Sequence, residues 1–238
     1  MGELEARRRR VRSMLNLSAP ADALYAYYAL YHDPTRTQLA IHEDSRGRID
    51  GFVAVCQTGQ RLFEPTVVLR TPDAIAAREL LHGALVGGRP YYLIATLDLR
   101  DPVMAALEVT SADVNQVFRI DLSRFAPAVN VMVAPEKGPG GSPHFVIRSQ
   151  GQVAASAGTN WISPYFAELF VQTDPVVQRR GWGKAVAEAC TTWVLRTGRQ
   201  PLYIASERNH ASVALAESIG FVDTGAREFA AEGVCCLP

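Results

Sequence analysis

Two glycines and three basic residues occur within six consecutive positions of this sequence, and residues of these types can bind an anion. A glycine has no side chain, so the backbone N–H groups beside it can approach a bulky anion closely. A helix that begins at such a turn adds a partial positive charge at its N-terminus, and basic side chains add full ones. The segment therefore predicts a phosphate-binding turn made by Arg179, Arg180, Gly181, Gly183 and Lys184.

The neighbouring sequence predicts a strand before this turn and a helix after it. Residues 167–173 have strand composition, and Pro175 ends that strand because proline cannot donate a hydrogen bond to a neighbouring strand. After the turn, apolar residues recur at helical spacing as far as Val194, and Gly198 is predicted to stop the helix. The two glycines are therefore expected where a strand is followed by a helix N-terminus.

The spacing of the glycines excludes two better-known phosphate-binding motifs. A Walker loop needs four residues between its glycines and a Lys-Ser/Thr pair after them. A dinucleotide-binding turn needs a third glycine and an acidic residue about 20 positions later. The segment instead resembles the acyl-CoA signature of the GNAT superfamily of N-acetyltransferases, Gln/Arg-x-x-Gly-x-Gly/Ala, which Gln178, Gly181 and Gly183 match.

The resemblance extends to the elements on both sides of the signature. Downstream, residues 201–206 predict a strand, and a short helix from Asn209 to Gly220 follows it. Upstream, residues 144–157 predict the hairpin that precedes the signature strand in such enzymes. The resemblance covers residues 143–225, which is less than half of the chain.

The resemblance implies that acetyl-CoA, or another acyl-CoA, is the cosubstrate. Backbone N–H groups of the signature strand would pair with the pantetheine arm, and the glycine-bearing turn would hold the phosphates. The start of the short helix would meet the CoA arm as well as being capped. The residues assigned to the cofactor are Val171, Gln172, Thr173, Gln178, Arg179, Arg180, Gly181, Trp182, Gly183, Lys184 and Asn209.

The resemblance also implies that an amine attacks the thioester directly, and an ammonium group must lose a proton before it can attack. Glu168 is the candidate catalytic base, although Ala167 holds the position where many GNAT enzymes place a glutamate. A shift of one residue turns a strand side chain to the opposite face unless a bulge restores it. A solvent-exposed strand glutamate is therefore the alternative interpretation of Glu168.

A second departure from the family concerns the leaving thiolate. Many family members carry a tyrosine on the short helix that protonates the departing sulfur, and this sequence has Ala216 at that position. Ser212, one turn earlier on the same helical face, is the candidate catalytic substitute, and Ser218 is a weaker one. Water can also protonate a thiolate, so the missing tyrosine does not exclude activity.

The first half of the chain repeats this element order at an offset of about 100 to 110 residues. A hairpin over 38–56, a strand over 67–69, a helix over 74–85 and a strand over 91–96 are predicted. The turn before the helix has no glycine, and its Asp73 would repel an anion. We therefore predict a degenerate copy that does not bind CoA; the alternative is an unrelated α/β domain with a similar element order.

These patterns predict an α/β (α+β) fold with tandem GNAT-like mixed sheets flanked by helices. The segment between the halves is the richest in proline and glycine, so it predicts a linker. We predict a degenerate GNAT-like domain over residues 1–128, a linker over 129–143 and an acyl-CoA-binding domain over 144–238.

Composition argues against several other classes of protein. The 24 basic and 24 acidic residues give a net charge of zero, so no general attraction to nucleic acid is expected. No apolar run approaches the roughly 18 residues of a membrane span, and the start lacks the apolar core of a signal peptide. We therefore expect a cytoplasmic protein. The histidines and cysteines show no spacing typical of metal ligands, so no metal is predicted.

Two smaller features have simple interpretations. The basic run 7–12 fits the solvated face of a helix. Cys56 and Cys190 are predicted as small core residues, and Cys235 and Cys236 as exposed thiols near an unanchored C-terminus.

The leading hypothesis is an N-acetyltransferase that moves an acetyl group from acetyl-CoA to a small-molecule or peptide amine. The alternative is a catalytically weak or inactive CoA-binding sensor or scaffold, in which the turn is kept and catalysis is lost. A nucleic-acid-associated protein that uses the basic run is a third hypothesis, which the zero net charge disfavours. The acceptor and the oligomeric state cannot be read from the sequence.

Overall fold

The first half of the chain forms the elements that its hydrophobic pattern predicts. The computed structural model describes residues 2–59, 63–138 and 141–237. The long helix of this half begins after Asp73, whose side chain accepts hydrogen bonds from two backbone N–H groups. The elements are α1 (Glu3–Val11), α2 (Pro20–Ala26), β1 (Thr37–Glu43), β2 (Ile49–Cys56), β3 (Thr66–Arg70), α3 (Ala74–Ala84), β4 (Pro90–Thr96), α4 (Arg100–Ala106) and β5 (Leu107–Ile120).

The second half repeats the order from β1 to β5, without counterparts of α1 and α2, and has one further strand before its hairpin. The hairpin turns at Gln150 and Gly151, both with positive φ, as a tight turn between strands requires. The elements are β6 (Ala134–Lys137), β7 (Pro143–Ser149), β8 (Gln152–Ile162), β9 (Phe166–Thr173), α5 (Trp182–Arg196), β10 (Gln200–Ser206), α6 (His210–Ile219) and β11 (Phe221–Cys235).

The chain forms two compact units, of which unit 1 comprises Met1–Asn115 and Arg227–Pro238. Its strands have the order β1-β2-β3-β4-β11. Strands β3 and β4 run parallel, and the other neighbours run antiparallel. Apolar residues of α3 and α4 bury one face of this sheet, so the core of unit 1 lies between the helices and the strands.

Unit 2 comprises Gln116–Ala226. Strands β6, β7, β8 and β9 are joined in antiparallel order, and β9 runs parallel to β10. Helix α5 packs against β7, β8 and β9, and α6 packs against β10. The buried residues of α5, including Val186, Cys190 and Val194, recur at the predicted helical spacing. This helix and the parallel pair position the candidate site described below.

The C-terminal half of β11 is a strand of unit 1. Residues 228–234 pair with residues 90–96 of β4. Beyond them, the N–H group of Cys235 donates a hydrogen bond to the carbonyl of Arg89 at 2.9 Å. Cys235 is buried, so the prediction of an exposed thiol at an unanchored end is wrong for this residue, whereas Cys236 is exposed as predicted. Cys56 and Cys190 are buried as predicted, and burial raises the pKa of each thiol to about 12.

The structure divides the chain differently from the predicted boundaries. The predicted second domain, 144–238, has its last segment in unit 1 because β11 is 15 residues long and contributes to both units. The predicted linker, 129–143, contains β6, which pairs with β7. Proline and glycine mark turns in a sequence, but a long strand carries no mark where one unit ends and the next begins.

The basic run near the N-terminus forms contacts within unit 1. Arg8 is buried in α1 and donates hydrogen bonds to the carbonyls of Ala29 and His32. Arg10 pairs with Glu43 at 2.9 Å. The predicted helix is confirmed, but the prediction of a solvated face is wrong for Arg8, because its guanidinium is buried on backbone carbonyls. Within the part of the chain that the structure describes, no helix combines the length and the apolar character needed to cross a membrane.

One ion-pair cluster of unit 1 predicts a pH dependence of stability. His42 lies between Asp50, 2.6 Å from its Nδ1, and Glu79 of α3, 3.2 Å from its Nε2. The hydrogen bond to Asp50 raises the pKa of His42 above its ordinary value of 6.5. The stabilisation of the folded state by protonated His42 is therefore complete below pH 6.5. It is lost as the pH rises through the higher pKa that His42 has in the folded state.

We expect His42→Gln to lower the urea midpoint at pH 5.5 and to have a smaller effect at pH 9. The matched control is His82→Gln, because His82 is an exposed histidine of α3. Circular dichroism would follow unfolding in both variants. Equal losses for His42→Gln at the two pH values would contradict the prediction.

Candidate cofactor-binding site

Strands β9 and β10 run parallel and then separate at their carboxyl ends. The last residue pair joins Leu169 to Tyr203, whereas β9 continues to Thr173 and β10 to Ser206. On its other side, β9 remains paired with β8 as far as Thr173. The edge of β9 that faces the gap therefore offers backbone N–H and C=O groups to an extended ligand.

The predicted phosphate-binding turn follows β9 after a short 3₁₀ helix, Pro175–Val177, and opens α5. Arg179 and Gly181 have φ angles of 64° and 75°, in the left-handed region that favours glycine. Helix α5 begins at Trp182, and no side chain caps its N-terminus. The backbone donors of its first turn are therefore available to an anion, and the helix adds a partial positive charge there.

Gly183 is required by the close approach of α5 to β9. A Cβ atom at this position would lie 2.7 Å from Oγ1 of Thr173, so a larger residue would push the helix away from the strand. The first half differs at the corresponding turn. There Asp73 accepts hydrogen bonds from the N–H groups of Ile75 and Ala76, so the N-terminus of α3 already carries a carboxylate.

A cavity of about 440 Å³ lies between the gap and the turn. Arg179 and Lys184 bring positive charge to its wall, and Val171 and Leu215 bring apolar surface. This donor set fits a ligand with a phosphate group at one end and an extended arm at the other. The predicted cofactor residues that line it are Val171, Thr173, Gln178, Arg179, Gly181, Trp182, Gly183, Lys184 and Asn209.

Two predicted cofactor residues do not line the cavity. Gln172 alternates with Val171 and Thr173 along β9, so its exposed side chain lies on the opposite face. Arg180 is exposed, and its guanidinium lies 5.3 Å from the ring centroid of Trp182. Arg180 therefore extends the positive surface of the turn without reaching the wall.

Two lining residues have partners within the unit. The Lys184 amine lies 3.7 Å from a carboxylate oxygen of Glu188, one helical turn further on. The Asn209 side chain accepts a hydrogen bond from the N–H group of Ser212 at 3.1 Å, so it caps α6 as predicted. Because Asn209 also lines the cavity, capping and a contact with a ligand are compatible.

Comparisons with known proteins agree with this geometry. The FR47-like protein family matches residues 147–230, a segment that includes β9, the turn and α6. A GCN5-related N-acetyltransferase-like protein from Streptococcus suis superposes with a TM-score of 0.64 at 16% identity, over 97% of this chain and 100% of its own. A GCN5-related N-acetyltransferase from Kribbella flavida gives 0.63 at 12% identity, over 92% of this chain and 96% of its own.

A tandem GNAT protein from the clavulanic acid biosynthesis pathway, solved without AcCoA, superposes with a TM-score of 0.55 at 16% identity. The match covers 96% of this chain and 93% of that protein. The chain has the GNAT acetyltransferase fold. The predicted resemblance and the predicted fold class are confirmed. No curated protein matches the sequence.

The candidate base of this GNAT fold lies beside the point where β9 and β10 separate. Glu168 pairs with Leu202, one position before the last pair, and its side chain is on the opposite face of β9 from Val171. A bulge is present, but in β8, where the extra residue is Asn160. The Asn160 amide donates a hydrogen bond to Glu168 at 2.7 Å. Desolvation nevertheless raises the pKa of Glu168 to about 7.

The position where many GNAT enzymes carry an acidic tyrosine contains a fully buried alanine, Ala216. Ser212, the predicted substitute, lines the cavity and forms a 2.9 Å hydrogen bond with the hydroxyl of Tyr203. The predicted site residues do not include Tyr203, because tyrosines in strands usually belong to a core or its rim. The alternation of side chains along β10 could have identified it, because this alternation puts Tyr203 on the face of the strand that borders the cavity. Its position beside the signature strand is a second signal.

Metal ligands do not gather at this site or elsewhere in the described ranges. Within residues 2–59, 63–138 and 141–237, no group of three or more His, Cys, Asp or Glu side chains could hold a metal ion.

Proposed function

We propose that this protein is an acyl-CoA-dependent N-acetyltransferase that binds acetyl-CoA in the cavity beside α5. One observation supports the proposal most. The gap between β9 and β10 leads directly to an uncapped helix N-terminus, and two glycines lie where the chain turns. An extended arm and a phosphate group at its end require these two features in this order.

Bound acetyl-CoA would supply an acetyl group already activated as a thioester. The free edge of β9, over Val171 to Thr173, would pair with the arm and fix the acyl group near the separation point. One N–H group of this edge would polarise the thioester carbonyl, as an oxyanion donor does. Holding both reactants in place lowers the barrier by about 7 kcal/mol or more in well-oriented reactions.

Glu168 is the proposed base for the acceptor amine. It lies on the face of β9 opposite the cavity, so the acceptor would approach from that face and meet the acyl group in the gap. A carboxyl group with a pKa of about 7 is half ionised at neutral pH and can still accept a proton there. We propose a small-molecule or peptide amine as the acceptor.

A binding measurement with a matched pair of glycine variants tests the cofactor site. Gly181 and Gly198 have nearly equal φ angles, 75° and 77°, and a Cβ would meet nothing within 4 Å at either. They lie at opposite ends of α5, so a glutamate at either costs similar backbone strain, but only Gly181→Glu puts a carboxylate beside the phosphate site.

We expect titration calorimetry to show micromolar binding of acetyl-CoA to the wild-type protein and to Gly198→Glu. Gly181→Glu should bind at least about tenfold more weakly, because its carboxylate repels the phosphates. Gly183→Glu should also lose binding, since its side chain collides with Thr173. No binding by a folded wild-type protein would overturn the proposal.

The second candidate function is a CoA-binding sensor or scaffold without turnover. The buried Ala216, which replaces an acidic tyrosine, favours it. Acetyl-CoA binding without acetylation of any amine in a broad panel would support this alternative. We also propose a cytoplasmic location, in keeping with the free thiols of Cys56, Cys190, Cys235 and Cys236.

A further inference from the structure

We propose that Tyr203 is the acid that protonates the departing CoA sulfur, with Ser212 positioning its hydroxyl. This inference rests on the proposed acetyl transfer, and it assigns the proton to a residue on a strand and not to one on α6. Tyr203 is the last residue of β10 that pairs with β9, so it lies at the base of the gap.

The phenol ring is fixed on several sides. Tyr203 is 4% exposed, and its ring lies 5.7 Å from that of Phe221. Its hydroxyl meets Ser212 Oγ at 2.9 Å, and both residues line the cavity. Ser212 itself is held by the cap of α6, because its N–H group donates to Asn209. The hydroxyl therefore has a defined position at the inner end of the cavity.

The surroundings of Tyr203 keep its proton in place at neutral pH. Burial raises the pKa of Tyr203 above its ordinary value of 10, and the hydrogen bond with Ser212 opposes this shift. Leu169 of β9, Ser212 of α6 and Phe221 of β11 are uncharged neighbours. Arg179 and Lys184 are charged residues of the same cavity wall.

The step is balanced in atoms and electrons. The acceptor ammonium first gives one proton to Glu168, which passes it to solvent. The amine nitrogen then forms a bond to the thioester carbon and loses its second proton to Glu168 or to water. The C–S bond then breaks with its electron pair on sulfur, and the Tyr203 O–H bond breaks as the proton forms an S–H bond. The Ser212 hydroxyl keeps its proton and donates a hydrogen bond to the phenolate oxygen. Solvent returns one proton to Tyr203 and receives the two that leave the nitrogen, so each turnover of an ammonium acceptor releases one proton.

The first test measures the bound thiol without any turnover. The probe is CoA, and the thiolate absorbance of its complex is titrated with pH for the wild type, Tyr203→Phe and Tyr165→Phe. Tyr165 is an exposed tyrosine of the same unit and serves as the control. Because Tyr203 donates to the thiolate, its loss should raise the pKa of the bound thiol by about one unit or more. Tyr165→Phe should leave that pKa unchanged.

The second test measures turnover with a panel of amines. Tyr203→Phe should bind acetyl-CoA like the wild type but turn over about a hundredfold more slowly, the usual loss of a general acid. Ser212→Ala should lose less rate and shift the alkaline limb of the pH profile upward, because the hydrogen bond that lowers the pKa of Tyr203 is gone.

Each outcome decides one question. The same thiol pKa in the wild type and Tyr203→Phe, or equal turnover by both, would overturn the role of Tyr203 while the acetyltransferase proposal stands. No CoA binding by the folded wild type would overturn the proposed function and this inference with it.

Discussion

A chain that ends at Ala226 is expected to lose the folded structure of unit 1. The deleted strand pairs with β4 over residues 228–234, and its Phe229 is buried in the core formed with α3 and α4. Loss of one buried phenylalanine costs about 3–5 kcal/mol. The deletion also removes backbone pairing and further buried residues, and a whole domain is stable by only about 5–15 kcal/mol.

Hydrogen exchange followed by mass spectrometry would measure this loss unit by unit. In the truncated chain, the backbone amide hydrogens of β3 and β4 should exchange completely within the shortest labelling time. All three tryptophans, Trp161, Trp182 and Trp193, lie within residues 116–226, so tryptophan fluorescence reports on unit 2 separately. Wild-type protection of β4 after truncation would show that the C-terminal strand is dispensable.

Two point variants of the same strand provide the control. Phe229→Ala should lower the free energy of unfolding of unit 1 by about 3–5 kcal/mol, because the side chain is 3% exposed. Val234→Ala should cost less than about 1 kcal/mol, because Val234 is 36% exposed. Equal effects of the two variants would contradict a role of this strand in the core.

The second large effect is expected at Glu168. If Glu168 is the base, Glu168→Gln should lower kcat/KM for amine acetylation by about 10²- to 10⁴-fold without weakening acetyl-CoA binding. The wild-type rate should fall below a pH of about 7, where the carboxyl group is protonated. This acid limb should be absent from the residual activity of the variant.

Asn160 and Glu217 provide two further variants that test the assignment. The Asn160 hydrogen bond lowers the pKa of Glu168, so Asn160→Ala should move the acid limb to higher pH. Glu217→Gln changes an exposed glutamate of α6 and should leave the profile as it is. An acid limb that persists near pH 7 in Glu168→Gln would assign the base to another group.

Glu168 should also affect the stability of the fold. Its contribution should fall as the pH rises, whereas the contribution of a carboxylate in an ordinary ion pair falls as the pH drops. Its folded-state pKa of about 7 lies above the ordinary 4.5, so the folded state binds the proton more tightly than the unfolded chain. Its favourable contribution is therefore complete below pH 4.5 and is lost as the pH rises through 7. At pH 8 Glu168→Gln should unfold at a higher urea concentration than the wild type.

The backbone of the proposed phosphate-binding turn could be predicted from the sequence because its signals are local. Two glycines, a proline that ends β9 and an apolar helical stripe in α5 all lie within about 25 residues. Each of them fixes the backbone through its own conformational preference. The positive φ at Gly181 and the tight approach at Gly183 are the physical reasons for the spacing.

The pairing of β11 with β4 could not be predicted in the same way. Strand partners are chosen by contacts between residues far apart in the sequence, and residues 90–96 precede their partners 228–234 by more than a hundred positions. The predicted linker, 129–143, contains strand β6, which its proline and glycine content did not indicate. Pro135 is tolerated because β6 is the last strand in the order of unit 2, where one side needs no donor.

Tyr203 illustrates a third limit of sequence reasoning. A tyrosine in a buried strand has the same pattern whether it fills a core or ends a cavity. Its place beside the cavity depends on where β10 leaves β9, which is just after Leu169 pairs with Tyr203. The local sequence of β10 does not contain this information.

The division of the chain has a consequence for the order of events during synthesis. Unit 2 is one continuous segment, whereas unit 1 needs residues from both ends of the sequence. On the ribosome, the sheet of unit 1 cannot be completed until residues 227–237 have emerged, although most of that unit is made first. We therefore expect unit 2 to reach its native state before unit 1, the reverse of the usual vectorial order. Until then the free edge of β4 is exposed to chaperones and to pairing with other nascent chains.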